Sequence, residues 1–293
     1  MTARGAGRCR AVVAGQPMGY PGDRRPAMRR LVWLAVVVAC VEGCMSRVPP
    51  FARVPYEAFS RGAVVAVALR EWRLFGQTIA NPQADATRTI KPEREAGLWQ
   101  RVGEYWWLGL NAGTTESRWT GKHDQNGKVF PPQDDGDYAW SAAFISYVMR
   151  IAGAGPRFPY SGDHADYINA ARRVSLGQTQ AWLVSAERVQ DYAPRPGDLV
   201  CFGRGAAKSL RYDDLPTAAL FTSHCDIVVD TMVPGQISVI GGNVEDSVTM
   251  NTVPVGADGR LATPDGTVLD TRFPWMTVLR LLVDEPPPDH HVA

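Results

Sequence analysis

The sequence lacks several features that would place it in a specialised class of protein. Its apolar run at residues 31–39 is too short to span a bilayer, which takes about 20 residues. No internal repeat is present. With 45% hydrophobic and 21% charged residues, the 293-residue chain has an ordinary globular composition. It is therefore neither fibrous nor wholly disordered.

Acidic side chains slightly outnumber basic ones outside the first 44 residues. Those residues hold seven of the 31 Lys and Arg side chains but only two of the 30 Asp and Glu side chains. The remainder has 24 basic and 28 acidic residues and is mildly acidic. Because a nucleic-acid-binding surface needs a basic footprint, we expect no nucleic-acid partner.

The N-terminal region has the pattern of a bacterial export signal. Arg29 and Arg30 precede the apolar run at 31–39, as the basic and apolar parts of a signal peptide do. Residues 1–27 have no periodicity and precede Met28, a second plausible start. We expect the mature protein on the periplasmic side of the cell envelope.

Two of the five cysteines close this segment. Small residues precede Cys40 and Cys44, which resembles a lipobox, in which the cysteine is lipidated and anchors the protein in the membrane. We expect residues 1–44 to be this signal and lipobox region, with either cysteine as the lipidation site. An ordinary cleaved signal or an uncleaved anchor is the alternative. Residues 45–55 are rich in proline and predict a tether.

The first half of the remaining chain has helical periodicity. Apolar residues at helical spacing predict helices over 56–75 and 95–110. A polar loop then ends at Asp137, a favourable N-cap for a core helix from Tyr138 to about residue 152. The segment "SGDHADYINAARRV" predicts an amphipathic helix capped by Ser161 or Asp163.

The second half has the pattern of short strands. Six β-branched segments are separated by glycine and proline signals, as in an antiparallel sheet. They are "AWLVSA", "GDLVCF", "HCDIVVDTM", "QISVIGGNV", "SVTMNTVPV" and "TVLRLLV". Helices followed by a meandering sheet predict one α+β domain over residues 56–284. Residues 285–293 predict a disordered tail.

Four segments within residues 130–255 occur in the order found in papain-like bacterial cell-wall hydrolases of the CHAP and NlpC type. They are the helix start "WSAAF", then "RPGDLVCF", "SHCDIVV" and "ISVIGGNVEDSV". The segments "WSAAFIS" and "HADYI" further resemble a bacterial family classed as a domain of unknown function. The resemblance implies a papain-like core, with a helix packed on a short-stranded antiparallel sheet. Residues 56–110 would then add extra N-terminal helices.

The resemblance also implies a catalytic set. Ser141 falls where these hydrolases have their nucleophilic cysteine, His224 at the general base, and Asn243 at the residue that orients the imidazole. Asp226 lies two residues after His224, so both side chains project from the same face of a strand. A Ser141 nucleophile with His224 and either Asn243 or Asp226 is therefore expected.

The serine changes what the site demands of its base. A thiol, with a pKa of about 8.5, can be held as a thiolate, whereas a serine hydroxyl must lose its proton during attack. Serine hydrolases usually stabilise the resulting imidazolium with a carboxylate, and Asn243 is neutral. The leading hypothesis is a peptidoglycan amidase or peptidase acting on a peptide stem, with no cofactor.

Other function classes remain open. The first alternative is a catalytically inactive module of the same fold that binds the cell wall or an envelope partner. Acyl transfer to or from a lipid is a third interpretation. Taken singly, Ser141 could satisfy a helix N–H, His224 could be a buried structural histidine, and Asn243 could be a turn residue with positive φ.

Two further residues are candidates for substrate binding. His164, at the start of the amphipathic helix, could line the cleft or pair with Asp163 and Asp166. Trp140 is a core aromatic or a wall of a glycan-binding cleft. A metal site at His123 and the other histidines lacks any ligand spacing such as H-E-x-x-H, so no metal is expected.

Cys201 and Cys225 lie within predicted strands, where neither suits a nucleophile. Cys225 should also face away from His224, since side chains alternate along a strand. In an oxidising compartment, two cysteines on neighbouring strands favour a disulfide, with two buried thiols as the alternative.

Overall fold

The structure, a computed structural model, describes residues 58–80, 91–110 and 114–283. The predicted signal region, the tether and the tail at 285–293 therefore lie outside the described residues. The same is true of both candidate lipidation sites, Cys40 and Cys44. Among the helices that are described, none combines the length and the apolar character needed to cross a membrane.

Two N-terminal helices are present, within shorter bounds than the periodicity predicts. Helix α1 (Arg61–Leu74) begins where Ser60 Oγ accepts a hydrogen bond from Ala63 N at 3.1 Å. Helix α2 (Leu98–Gly109) packs against the central helix of the domain. A buried ion pair between Arg61 and Asp198, 2.7 Å apart, ties α1 to the strand region.

The central helix, α3 (Ser141–Ile151), begins later than the sequence predicts. Residues 132–138 form a 3₁₀ helix with Pro132 in its first position, which suits a residue without an N–H. Ala139 is extended and interrupts the helical backbone, so Asp137 is not the cap of α3, and Trp140 occupies that position. Gly153, with a φ of 94°, follows the end of the helix, which lies close to the predicted end at about residue 152.

Helix α4 (His164–Ser175) has Asp163 in its N-cap position, but the Asp163 carboxylate makes no capping hydrogen bond. Six strands follow and form one open antiparallel sheet in the order β1-β6-β2-β3-β4-β5. Their bounds are β1 (Val184–Glu187), β2 (Leu199–Gly203), β3 (Ser223–Asp230), β4 (Gln236–Val244), β5 (Ser247–Pro254) and β6 (Trp275–Leu281). The predicted α+β class and antiparallel sheet are confirmed.

Both faces of the sheet are covered. Side chains such as Leu199 and Ile227 join the core formed with the helices, and α3 packs on β3 and β4. Alternate residues, among them Val200 and Val228, pack on the opposite side against the segment that contains Leu261. This alternation follows from the two-residue period of a strand. Both α3 and α4 contact β3.

Candidate active site

The first residues of α3 and α4 meet in the structure. Ser141 Oγ lies 2.7 Å from His164 Nε2, and the two side chains belong to residues that are 6% and 5% exposed. Each residue is the first of its helix, so the contact joins two helix N-termini. The structure therefore pairs Ser141 with His164, which the sequence assigned to substrate binding.

Tyr167 occupies the other side of the imidazole. Its hydroxyl makes a short hydrogen bond with His164 Nδ1. The two residues are three apart on α4, a spacing that places side chains on one face of a helix. Burial raises the pKa of Tyr167 well above its ordinary value, and the charges of Asp163 and Asp226 add to that rise. The phenol is therefore neutral at physiological pH.

His164 is held in its neutral form. Burial lowers its pKa well below the ordinary value, and the neighbouring charges of His224 and Arg204 lower it further. With the proton on Nδ1, the ring donates to the Tyr167 oxygen and Nε2 accepts from the Ser141 hydroxyl. With the proton on Nε2, both hydrogen bonds reverse. Only the first tautomer lets His164 act as a base towards Ser141.

A second buried pair lies against this one. His224 Nε2 is 2.9 Å from Asp226 Oδ1, and both side chains are almost fully buried. The ring centroids of His164 and His224 are 5.2 Å apart. The predicted base and its predicted carboxylate are thus in contact, but the ring of His164 is the one bonded to Ser141.

Glycine makes room for the second pair. A Cβ built on Gly241 would overlap with Asp226 Oδ1 and lie 2.9 Å from His224 Nε2. No larger residue fits there without displacing the pair. His224 Nδ1 is buried and has no hydrogen-bond partner among the described residues.

Asn243 makes no hydrogen bond to the His224 ring in the described structure. Because His224 directs Nε2 to Asp226, the orienting hydrogen bond goes to the carboxylate. Asn243 has a φ of 56° and lies in a register irregularity between Gly241 and Val244. This conformation agrees with the alternative in which Asn243 is a turn residue, since asparagine tolerates the left-handed region of φ.

Trp140 is a core residue and does not form a cleft wall. It is 1% exposed and its ring lies 5.9 Å from Phe75 and 5.6 Å from Tyr105. Its indole N–H donates to Glu93 Oε2 at 2.5 Å. The expectation of substrate binding by Trp140 is therefore corrected, because its faces are covered by other aromatic rings.

Glu93 is a buried carboxyl that the sequence analysis missed. Burial raises its pKa to about 8, and the nearby charges of Asp246 and Asp135 raise it as well, while the Trp140 hydrogen bond opposes the rise. Its backbone N–H donates to Asp246 O at 3.0 Å. No local pattern marks Glu93, whereas the three-residue spacing in "HADY" could have linked Tyr167 to His164.

The remaining candidates are placed as follows. Cys201 and Cys225 face each other on β2 and β3 and are joined by a disulfide. The His123 ring lies 4.6 Å from that of Trp99. No group of side chains able to hold a metal ion occurs within the described ranges.

A cavity of about 470 Å³ lies along the segments that lead into α3 and α4, and neither Ser141 nor His164 is among its lining residues. Its wall includes Asp137 and Ala139, which shortly precede Ser141, and Gly162 and Asp163, which directly precede His164. The segments that lead into both helices thus border one cavity.

The protein is thus an α+β domain with a buried serine–histidine contact where two helices begin. Residues 93–281 match the family described as "Uncharacterized protein conserved in bacteria (DUF2272)". The match covers more than half of the 293 residues, and the chain belongs to this family. The matched segment includes Ser141, His164 and His224. No curated protein and no solved structure matches the chain.

Proposed function

We propose that the protein is an exported amide hydrolase with a papain-like core, acting on the peptide stems of peptidoglycan. The observation that carries the chemistry is the 2.7 Å contact between Ser141 Oγ and His164 Nε2. The substrate class and the CHAP and NlpC relationship rest on the order of the four resembling segments. Export, and anchoring through Cys40 or Cys44, rest on the N-terminal sequence pattern.

In the proposed reaction, Ser141 Oγ attacks the amide carbonyl carbon as His164 Nε2 takes the hydroxyl proton. The tetrahedral oxyanion accepts hydrogen bonds from free backbone N–H groups in the first turn of α3. When the C–N bond breaks, His164 gives that proton to the leaving amine. Water, deprotonated by His164, then attacks the carbonyl carbon of the acyl-serine. The ester bond to Ser141 breaks, the carboxylic acid product leaves, and His164 returns the proton to Ser141 Oγ.

The neighbouring residues have distinct roles in this scheme. Tyr167 accepts from Nδ1–H and holds the tautomer in which Nε2 is a base. The His224–Asp226 pair packs against the His164 ring, and the charge of His224, like burial, favours the neutral form of His164 from which Nε2 acts as a base. This arrangement differs from the expected one, in which the imidazole of His224 takes the serine proton and Asn243 orients that imidazole.

A second candidate function is a binding module without catalysis. The observation that favours it is the burial of the pair, since Ser141 is only 6% exposed and burial disfavours the charged His164. In that case the cavity bordered by Asp137 and Asp163 holds an envelope ligand, and the serine–histidine contact stabilises two helix N-termini.

One mutant series separates the two functions. The full-length wild type, Ser141→Ala, Ser141→Cys and His164→Gln would be incubated with purified sacculi and, separately, with a fluorophosphonate probe. We expect the wild type to release peptide fragments and become labelled, and Ser141→Ala to do neither. Release that persists in Ser141→Ala would exclude the serine mechanism. An inert wild type with an active Ser141→Cys would favour the binding module.

A further inference from the structure

A second cavity, an open groove of about 720 Å³, is lined mainly by aromatic and proline side chains. Its walls include Phe158, Pro159, Tyr160 and Trp182. Tyr160 and Trp182 are partly exposed, and both pack at the edge of the core that the sheet forms with the helices. The groove therefore presents aromatic surface to solvent.

The aromatic wall is held in a fixed position. The Tyr160 hydroxyl donates to Gly155 O at 2.8 Å, and the Arg150 guanidinium lies 3.8 Å from the centre of the Tyr160 ring. The Phe158 and Tyr160 rings meet edge to face, with centroids 5.3 Å apart. A preformed aromatic groove suits an extended proline-rich segment, which has little conformational freedom to lose on binding.

The chain leaves the described domain beside this groove. Leu282 N donates to Leu183 O at 2.7 Å, which continues the antiparallel pairing of β1 with β6. In that register Val283 follows opposite Trp182. Val283 is the last described residue and packs on the same core as Trp182. The residues after Val283 therefore start next to a wall of the groove.

The residues that follow, called here the proline segment (284–293), have a composition that such a groove binds. They read "DEPPPDHHVA", with acidic residues on both sides of three prolines. Consecutive prolines favour the polyproline II conformation, in which the first of them lies about 9 Å along the chain from Val283. Arg150 lines the groove with a charge opposite to that of the acidic flanks. The carboxylate of Asp166, also in the wall, accepts from the Ser161 hydroxyl at 2.6 Å.

We propose that the proline segment docks back onto its own domain, with its three prolines seated between the aromatic walls of the groove. A short connection gives a tethered segment a millimolar effective concentration, so a weak contact is enough to hold it. The docked segment covers residues 155–160, which lie between α3 and α4. Docking is independent of the hydrolase proposal, because neither Ser141 nor His164 lines the groove.

Oxidation of aromatic side chains by hydroxyl radicals measures whether the groove is covered. The full-length wild type would be compared with a glycine variant, which removes the polyproline II preference at constant length and carries Pro286→Gly, Pro287→Gly and Pro288→Gly. Peptide mass spectrometry gives the oxidation rates of Trp182 and Tyr160. We expect both rates to rise about threefold in the glycine variant, as for a segment that covers the groove about two-thirds of the time.

Matched controls separate docking from a change in fold. Trp107, 54% exposed on α2 and outside the groove wall, should be oxidised at the same rate in both proteins. The double exchange His290→Gln and His291→Gln alters the same segment but keeps the prolines, and should match the wild type. A synthetic peptide "DEPPPDHHVA" at millimolar concentration should restore protection of Trp182 in the glycine variant, whereas "DEGGGDHHVA" should not.

Each outcome supports or overturns the proposal. Equal oxidation of Trp182 and Tyr160 in the wild type and the glycine variant would overturn it, as would a parallel rise at Trp107. Protection that is lost when the wild type is diluted would also overturn it, because the occupant would then be the proline segment of a second copy. Protection that needs the prolines, does not depend on protein concentration and returns with the peptide supports docking within one chain.

Discussion

Ser141 Oγ lies 2.7 Å from His164 Nε2, and this contact joins the first residues of two helices that are separated by 23 positions in sequence. It makes His164, and not His224, the side chain in position to accept the serine proton. The exchange of His164→Gln should therefore reduce fluorophosphonate labelling of Ser141 by about 100-fold or more, as expected for loss of a general base.

The matched exchange is His224→Gln, which removes the neighbouring imidazole but leaves the Ser141–His164 contact. Its labelling rate should fall much less than that of His164→Gln. Labelling rates of both variants, measured by in-gel fluorescence, make the comparison. A larger loss in His224→Gln would restore His224 as the base and contradict the assignment.

Tyr167→Phe tests how the imidazole is held. The exchange removes the only oxygen bonded to His164 Nδ1 in the described structure and leaves that nitrogen buried without a partner. We expect a loss of about 1–3 kcal/mol in unfolding free energy and a labelling rate reduced by about tenfold. Urea unfolding and the labelling assay measure the two effects, and an unchanged rate would show that Tyr167 does not position His164.

Glu93→Gln tests the pH dependence of stability. The pKa of Glu93 is raised to about 8 from an ordinary value of 4.5, so the folded state binds more protons than the unfolded state between these values. The stability that Glu93 contributes is thus fully present below pH 4.5 and is lost as the pH rises towards 8. The slope approaches at most about 1.4 kcal/mol per pH unit.

A glutamine cannot ionise but keeps an oxygen for the Trp140 indole, so Glu93→Gln should become more stable relative to the wild type as the pH rises from 5 to 8. Urea unfolding at several pH values gives the comparison. Glu104→Gln, at an exposed carboxyl of α2, is the control and should show no such trend. A constant difference between wild type and Glu93→Gln would refute the raised pKa.

Gly109→Ala tests the close approach of α2 and α3. A Cβ at Gly109 would lie 2.6 Å from Ala143 O and 2.9 Å from Tyr147 N, and backbone atoms cannot move as a side chain can. We expect a loss of about 1–3 kcal/mol in unfolding free energy, as for overpacking. Gly62→Ala in α1, where the nearest atom is 3.9 Å away, should instead gain up to about 1 kcal/mol.

Local patterns were sufficient to predict much of the architecture. The bounds of β4 match the segment "QISVIGGNV", because β-branched residues between glycine and proline signals are a local property. The start of α3 was misplaced, since Asp137 is a favourable cap and only the extended backbone at Ala139 shows that the helix begins later. Tertiary packing decided between two locally acceptable starts.

Four residues of the candidate site could be named from the sequence, but neither Tyr167 nor the pairing of the four could. Ser141, His164, His224 and Asp226 were all named, and their side chains do converge. Which imidazole bonds the serine depends on how two helix N-termini approach each other, and no spacing in the sequence encodes that approach. The buried contact between Glu93 and Trp140 likewise joins residues that are 47 positions apart in the sequence.

Gly241 sets a limit on how this site can change over evolutionary time. The hydroxyl of Ser141 could be exchanged for a thiol with little change in volume, so the fold tolerates either side chain at this position. A side chain at Gly241, in contrast, would displace Asp226 and His224. A lineage that has gained one there has therefore lost the buried histidine–aspartate pair, whichever side chain it carries at position 141.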